Sequence, residues 1–208
     1  MQYEYVNWNH FYRLCGVLWQ RIADSGYRPD LIIAITRGGY PAARVLADFA
    51  GLMDLVSLKI EHYHGPSKLR QAIVPYPLPL SITGRRVLLV DDVSDSGDTF
   101  DAAFAELAKR GEPLALRTAV LHHKQVSRHT PDYHAQRIVK WRWVTYPWAL
   151  VEDLTEILIC HELAPDSQAA LEQDLANHTG MRLPRPVLDQ VAPIVLQRLD
   201  DSKPPTPS

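Results

Sequence analysis

One stretch of the chain carries the clearest structural signal: Arg86-Val87-Leu88-Leu89-Val90-Asp91-Asp92-Val93-Ser94-Asp95-Ser96-Gly97-Asp98-Thr99. Its first five residues are mostly apolar, which predicts a buried strand of a parallel sheet. The small and hydroxyl residues from Ser94 onward predict a tight turn, and a helix is expected from about Thr99 to Arg110, closed by Gly111. In an open parallel sheet, ligands bind beyond the carboxyl ends of the strands. The turn is therefore a candidate binding site.

The turn has the chemistry of an anion site. Its backbone N–H groups and the positive end of the following helix favour a phosphate group, and Ser96 and Thr99 add hydroxyl donors. The carboxylates of Asp91 and Asp92 do not favour a phosphate directly, but they suit sugar hydroxyls or a hydrated Mg²⁺. A phosphate site beside a site for a diol and a metal predicts a ribose 5-phosphate ligand.

Two alternatives apply to the same residues. An acidic pair after a strand also occurs in phosphoacceptor receiver domains, and Asp95 and Ser96 would also serve as ordinary turn and cap residues. Neither alternative requires a Ser/Gly/Thr anion turn after the pair. The chain contains no Gly-x-x-x-x-Gly-Lys-Ser/Thr and no Gly-x-Gly-x-x-Gly, which argues against a nucleoside triphosphate or dinucleotide loop.

The rest of the chain predicts a doubly wound, mainly parallel α/β fold with a flexible loop and a helical C-terminal extension. The further predicted strands are Leu31 to Ile35, Leu55 to Ile60, Leu116 to Leu121 and Arg137 to Val144. The further predicted helices are Trp8 to Ile22, one with Pro41 near its first turn, Leu150 to Leu163, Gln168 to Ala176 and Val187 to Leu199. Between Glu61 and Gly84, four prolines punctuate a stretch without sustained period, so we expect a loop or extended arm there.

Composition favours a cytoplasmic enzyme. The chain has 208 residues, 46% of them hydrophobic, with a formal net charge of −2, which suits a globular core and predicts neither nucleic-acid nor membrane binding. No signal peptide or bilayer-spanning run is predicted. Cys15 and Cys160 both lie among apolar residues at helical positions, so we expect two buried thiols.

The segment Val90 to Thr99 resembles the motif with which type I phosphoribosyltransferases bind 5-phosphoribosyl 1-pyrophosphate (PRPP): an apolar strand, two acidic residues and a Thr/Ser-Gly-x-Thr turn. Asp98 departs from this pattern, because many members have glycine there. The resemblance covers about residues 27 to 153. With the N-terminal helix it predicts a phosphoribosyltransferase domain over 1–153, while the residues beyond it predict a helical extension over 154–201 and, from three prolines, a disordered tail over 202–208. The PRPP-binding residues it implies are Arg37, Gly38, Gly39, Asp91, Asp92, Ser94, Asp95, Ser96, Gly97, Asp98 and Thr99.

Two further segments match the family's accessory sites. The glycines of Thr36-Arg37-Gly38-Gly39 would let the backbone approach a ligand closely, and Arg37 could pair with an anion; the matching family loop holds the pyrophosphate. The arm from Glu61 to Pro79 is similar to the flexible loop that covers the active site. Within it, Tyr63, Lys68 and Arg70 are the candidate loop residues.

The stretch from Val120 to Trp148 resembles bacterial xanthine–guanine and archaeal hypoxanthine phosphoribosyltransferases. This resemblance implies that Lys124 donates to the 6-oxo oxygen of a purine, that Trp143 stacks on the base and that the Val144 carbonyl binds its other edge. Trp141 and Trp143 would share one face of a strand, so alternation does not choose between them.

The function implied is transfer of phosphoribose from PRPP to a 6-oxopurine (hypoxanthine, guanine or xanthine) in purine salvage, with release of pyrophosphate. Asp95 would be the general base for the N7 proton, since 6-oxopurine enzymes carry aspartate there, and Asp91 and Asp92 would serve Mg²⁺. We expect a homo-oligomer, either a dimer or a tetramer. The alternative is a PRPP- or nucleotide-sensing regulatory protein of the same fold without significant turnover.

Overall fold

The structure is a computed structural model that describes residues 2–64 and 70–202. In this part of the chain the strands are β1 (Tyr3–Tyr5), β2 (Leu31–Thr36), β3 (Leu55–His64), β4 (Arg70–Tyr76), β5 (Arg86–Ser94), β6 (Ala115–Lys124), β7 (Tyr133–Ile138) and β8 (Trp143–Thr145). The α-helices of the same residues are α1 (Trp8–Asp24), α2 (Gly39–Ala50), α3 (Asp98–Leu107), α4 (Leu150–Cys160), α5 (Gln168–Thr179) and α6 (Arg185–Asp201).

Six strands form one sheet in the order β4-β3-β2-β5-β6-β7. All neighbours in this sheet are parallel except β3 and β4. The chain adds strands outward in one direction from β2 and in the other direction from β5, so the topological switch lies between β2 and β5. Ligands of open α/β sheets bind outside the carboxyl ends of the strands at such a switch. The predicted mainly parallel, doubly wound fold is confirmed, and its switch point lies at the predicted binding turn.

The central strands are covered on both faces. Ile33 of β2 lies in a cluster with Phe100 and Leu107 of α3. Its neighbours Ile32 and Ala34 point to the other face and are equally buried, which is why β2 has no polar alternation. Helix α2 packs against β2 and β5. These contacts fix the ends of β2 and β5, from which the loops of the site emerge.

The stretch predicted as a loop from Glu61 to Gly84 contains more regular structure than expected. Strand β3 continues to His64, and β4 returns antiparallel to it, with Glu61 opposite Ile73 and a register shift between Lys59 and Glu61. The prediction of an arm without regular structure is therefore wrong for these two segments. Pro75 is accommodated because β4 is the edge strand, where a missing backbone N–H breaks no ladder on its outer side.

The prediction of one continuous strand from Arg137 to Val144 is also wrong. Strand β7 ends at Ile138, and the chain leaves regular structure over residues 139–142. Strand β8 then pairs in parallel with β1 in a separate two-stranded sheet, with Glu4 opposite Val144. Val139 is exposed and Lys140 is polar, so neither adds an apolar side chain that the large sheet buries, and β7 ends before them.

The chain divides into two compact units. One comprises residues Asn9 to Trp141, and the other joins the residues before Asn9 to those from Arg142 onward. The second unit contains β1, β8 and helices α4 to α6. Leu154 of α4, Leu171 of α5 and Val195 of α6 share its core. The predicted tail lies outside the described residues from position 203 onward.

The two cysteines differ in exposure. Cys15 of α1 is buried, as expected, and burial raises the pKa of its thiol to about 12. Cys160 is exposed at the last residue of α4, so the prediction of a second buried thiol is wrong; the helix ends there and turns this position to solvent. None of the helices in the described part of the chain is long and apolar enough to cross a membrane.

Candidate active site

The loop after β2 lies directly against the end of β5. A Cβ atom on Gly38 would collide with the Asp92 carboxylate, and one on Gly39 would come within 2.5 Å of the Val90 carbonyl oxygen. Gly39 therefore requires glycine, because its neighbours there are backbone atoms, whereas a side chain at Gly38 would force the Asp92 carboxylate to move. The peptide bond between Thr36 and Arg37, at the start of this loop, is cis. The structure thus brings the predicted pyrophosphate loop to the predicted acidic pair.

The acidic pair is largely withdrawn from water. The Asp92 amide donates to Asp91 Oδ1 at 2.9 Å. Burial, followed by the charge of Asp92, raises the pKa of Asp91 well above its ordinary value. Burial also raises the pKa of Asp92 to about 6, although the Val93 amide and the positive charge of Lys124 act in the opposite direction. A ligand that brings positive charge or hydrogen-bond donors to this pair would therefore favour its ionised form.

These carboxylates suit Mg²⁺. The ion prefers oxygen ligands and is commonly held by one or two carboxylates, with water and substrate phosphates completing its shell. Asp91 and Asp92 supply two such groups, next to the loop of Gly38 and Gly39. Within residues 2–64 and 70–202, no group of three or more His, Cys, Asp and Glu side chains forms a metal cluster. Asp91 and Asp92 are thus the candidate ligands for a divalent metal at this site.

The phosphate turn, Ser96 to Thr99, connects β5 to α3. Gly97 has a φ of 100°, and a Cβ there would lie 2.9 Å from the His129 amide nitrogen. The conformation and the close packing both require glycine. Ser96 donates through its hydroxyl to Asp98 Oδ2 at 2.8 Å. The Asp98 carboxylate, the departure from the family pattern, therefore bonds within the turn.

The loop after β6 braces the phosphate turn from outside. The Arg128 amide donates to the Ser96 carbonyl at 3.0 Å, and the Arg128 guanidinium forms an ion pair with Asp98. The His129 ring stacks on Phe100 of α3 with centroids 4.3 Å apart. The buried Ser94 hydroxyl bonds to the same loop, through Ser127 Oγ at 2.8 Å and the His129 carbonyl at 3.1 Å. The sequence offered no signal for this bracing role.

A second group of side chains, here called the base triad, consists of Asp95, Lys124 and Trp141. Lys124, the last residue of β6, is 3% exposed, and its Nζ lies 2.8 Å from Asp95 Oδ2. Trp141 Nε1 donates to the other carboxylate oxygen, Asp95 Oδ1, at 3.2 Å. The Lys124 ammonium lies 4.4 Å from the centroid of the Trp141 ring, a cation–π contact. Two predicted site residues, Asp95 and Lys124, are thus brought together, with a tryptophan that the resemblance did not select.

Trp143 and Val144 lie in β8, in the other unit. Asp153 of α4 is a polar neighbour of this strand. Burial raises the pKa of the Asp153 carboxyl to about 7, while the donors of Thr145 and Trp143 act to lower it. A neutral or half-ionised carboxyl therefore faces the strand that carries the two predicted base contacts.

The structure describes the backbone of two of the three predicted flexible-loop residues. Tyr63 lies in β3, and Arg70 lies in β4. Lys68 lies outside the described residues.

A loop with two glycines, an acidic pair and a glycine turn meet at the carboxyl ends of β2 and β5, the arrangement expected of a protein that binds a phosphorylated sugar. Residues 1–153 match the phosphoribosyl transferase domain family, and the chain belongs to that family. The resemblance seen in the PRPP motif is thereby confirmed.

The chain is similar to two curated proteins of Saccharomyces cerevisiae. It is 27% identical to xanthine phosphoribosyltransferase 1, over 73% of this chain and 91% of that protein. It is 28% identical to the hypoxanthine-guanine phosphoribosyltransferase, over 70% of this chain and 85% of that protein. Among solved structures, the purine phosphoribosyltransferase of Pyrococcus horikoshii has a TM-score of 0.64 at 28% identity, over 71% of this chain and 94% of that one.

Proposed function

We propose that this protein transfers the 5-phosphoribosyl group of PRPP to N9 of a 6-oxopurine, namely hypoxanthine, guanine or xanthine, and releases pyrophosphate. The observation that carries the proposal is the pairing of Asp95 with the buried Lys124 at the end of β5, beside an anion turn and an acidic pair. An anion-binding loop alone would serve many ligands, whereas a carboxylate and an ammonium side by side match the N7–H and 6-oxo groups of one edge of a purine. The names of the similar proteins support the same substrate class.

Each part of PRPP has a place in this proposal. The 5-phosphate binds at the phosphate turn, where the backbone N–H groups and the N-terminus of α3 supply donors. The ribose hydroxyls bond to Asp91 and Asp92. The pyrophosphate binds at the loop of Arg37, Gly38 and Gly39. Mg²⁺, held by Asp91 and Asp92 together with the substrate, would offset the charge that develops on the leaving pyrophosphate.

In the proposed reaction the bond from the anomeric carbon to the pyrophosphate oxygen breaks, and a bond from that carbon to N9 forms. Positive charge develops on the sugar, and the nearby carboxylates stabilise it. As N9 shares its electron pair, N7 becomes acidic, and Asp95 accepts its proton. Lys124 donates to the 6-oxo oxygen, Trp143 stacks on the ring and the Val144 carbonyl accepts from the opposite edge. Tyr63, Lys68 and Arg70 would act from the arm that covers the site.

We further propose that phosphoribosyl transfer resides in residues 1–153, the stretch that matches the family. The helices of 154–201 would form an extension of this domain. The proposed state is a cytoplasmic homo-oligomer, a dimer or a tetramer, which light scattering of the purified protein would test.

The deciding experiment measures pyrophosphate release from PRPP and Mg²⁺ with hypoxanthine, guanine, xanthine, adenine and orotate in parallel. We expect turnover with at least one 6-oxopurine and little with adenine or orotate. Turnover with none of the five, in protein that still binds PRPP, would favour the regulatory alternative.

A further inference from the structure

We infer that Trp141 is a positioning residue whose indole N–H occupies the proton-accepting oxygen of Asp95 before the base binds, and that the purine must displace it. This inference rests on the proposed function, since it describes what occupies Asp95, the proposed general base, before the purine binds. Neither the resemblance nor the alternation of the sequence singled out Trp141.

The Asp95 carboxylate has a donor on each oxygen. Lys124 Nζ lies 2.8 Å from Oδ2, and Trp141 Nε1 lies 3.2 Å from Oδ1. A purine that delivers its N7 proton to Asp95 and accepts from Lys124 must lie against both groups, and the Trp141 indole already contacts both of them. The indole and the base therefore compete for the same two side chains.

The two donors differ in how easily they leave. The Lys124 bond is a short, charge-assisted contact, and the side chain is 3% exposed, so water cannot readily replace the carboxylate. The Trp141 bond is longer and its donor is neutral. Trp141 is 37% exposed and lies in residues 139–142, which form no regular secondary structure. Displacement of the indole is the less costly event.

The indole also resembles what replaces it. It is a flat bicyclic ring with one N–H that points at Asp95, as the imidazole part of a purine would. Its face covers the Lys124 ammonium at 4.4 Å. Before the base binds, this contact stabilises the buried cation, and in the complex the 6-oxo oxygen takes over that role. Trp141 thus keeps Asp95 and Lys124 oriented for the base while competing with it.

This competition predicts a specific kinetic pattern. Trp141→Phe removes the N–H but retains an aromatic face, and Trp141→Leu removes both. We expect both variants to lower the KM for the purine by roughly 2- to 10-fold, the worth of one neutral hydrogen bond, with the KM for PRPP unchanged. The matched control is Trp19→Phe on α1, the same exchange at a tryptophan outside the base triad.

An unchanged or raised KM for the purine in Trp141→Phe, in protein with a wild-type KM for PRPP, would overturn the inference. A raised value would indicate that the indole helps to bind the base rather than competing with it. In either case the wild-type protein would still turn over a purine. By contrast, failure of the proposed function would abolish purine turnover in wild type and variants alike.

A second measurement needs no turnover. The chain has five tryptophans, so ¹⁵N-labelled protein has five indole N–H resonances, and Trp141→Phe identifies the one from Trp141. Titration with hypoxanthine, guanine or xanthine, whose N7–H can donate to Asp95, should shift that resonance as the indole loses its carboxylate acceptor. A bound base that leaves the Trp141 resonance in place would contradict the displacement.

Discussion

The phosphate turn and Asp95 of the base triad both follow β5, yet the contacts of the two regions differ in kind. Around the phosphate turn, Arg128 donates to the Ser96 carbonyl and pairs with the Asp98 carboxylate, so its contacts use none of the backbone N–H groups that a phosphate would bind. In the base triad, Lys124 and Trp141 each donate to one oxygen of Asp95, the residue that the base would contact. In the proposed reaction the ligand would leave the first set of contacts in place and would exchange part of the second. The loop after β6 serves both, because it begins at Lys124 and continues to Arg128.

The largest effect is expected at the residue that the base triad shares with the proposed chemistry. Asp95→Asn preserves the shape of the side chain but removes its basicity, so kcat should fall on the order of 10²- to 10⁴-fold. The KM for PRPP should change little, because the phosphate turn keeps its bracing. Steady-state kinetics with both substrates measures the two values, and Asp48→Asn, an exposed position on α2, is the control. Equal losses in kcat and in PRPP affinity would remove the distinction between the two regions.

The second prediction tests whether the β8 region, which carries Trp143 and Val144, responds to pH. Asp153 has a folded-state pKa of about 7, above an unfolded value near 3.9. Asp153 therefore stays protonated to a higher pH in the folded state than in the unfolded state. The stability that this difference contributes at low pH is lost as the pH rises through 7. Relative to Asp153→Asn, the wild type should lose about 2–3 kcal/mol of unfolding free energy between pH 5 and pH 8. Urea unfolding of both proteins at the two pH values measures it; a constant difference would mean that Asp153 is ionised throughout.

Comparison of two glycines with positive φ distinguishes the cost of close packing in the phosphate turn from the cost of backbone conformation. Gly97 and Gly26 both have positive φ, 100° and 76°, but a Cβ atom would meet other atoms within 4 Å only at Gly97. Gly97→Ala should therefore cost about 1–2 kcal/mol more stability than Gly26→Ala, and should raise the KM for PRPP. Chemical unfolding and PRPP kinetics of the two variants test this. Equal costs would indicate that the contact with His129 yields without penalty.

The smallest effect is expected at the ion pair on the outside of the turn. Arg128→Ala leaves the Asp98 carboxylate without its main counter-charge beside a phosphate, so the KM for PRPP should rise a few-fold, about 0.2–1 kcal/mol. Asp98→Asn in the same chain should restore it. A double-mutant cycle on the KM for PRPP at low and high salt measures the coupling, which should weaken as salt rises. Additive effects of the two substitutions would mean that Arg128 influences the KM for PRPP through a contact other than the one with Asp98.

The sequence predicted the elements whose burial is uniform and missed those that depend on distant partners. Residues 31–35 and 86–90 are continuous, mostly apolar runs, and both are buried strands. Strands β1 and β8 have three residues each and show no period of their own; they exist because each pairs with the other. The hairpin of β3 and β4 was hidden by prolines that only an edge strand accommodates.

The same division applies to the site. The motif of Asp91 to Thr99 follows from local order along the chain, so its place between β5 and α3 could be predicted. The contacts of Arg128 and Trp141 depend on where the connections after β6 and β7 fold back, and no local pattern encodes that. Trp143 was preferred to Trp141 by resemblance alone. Only the folded arrangement brings Trp141 to Asp95.

The pairing of β1 with β8 has a consequence for synthesis on the ribosome. The segment Tyr3–Tyr5 is translated before the large sheet, but its partner Trp143–Thr145 emerges only after all six strands of that sheet have been made. The nascent chain must therefore carry an unpaired aromatic strand throughout that interval. The unit that holds Trp143 and Val144 is consequently the last to close, and variants that slow the large sheet should first appear as defects in the helical unit.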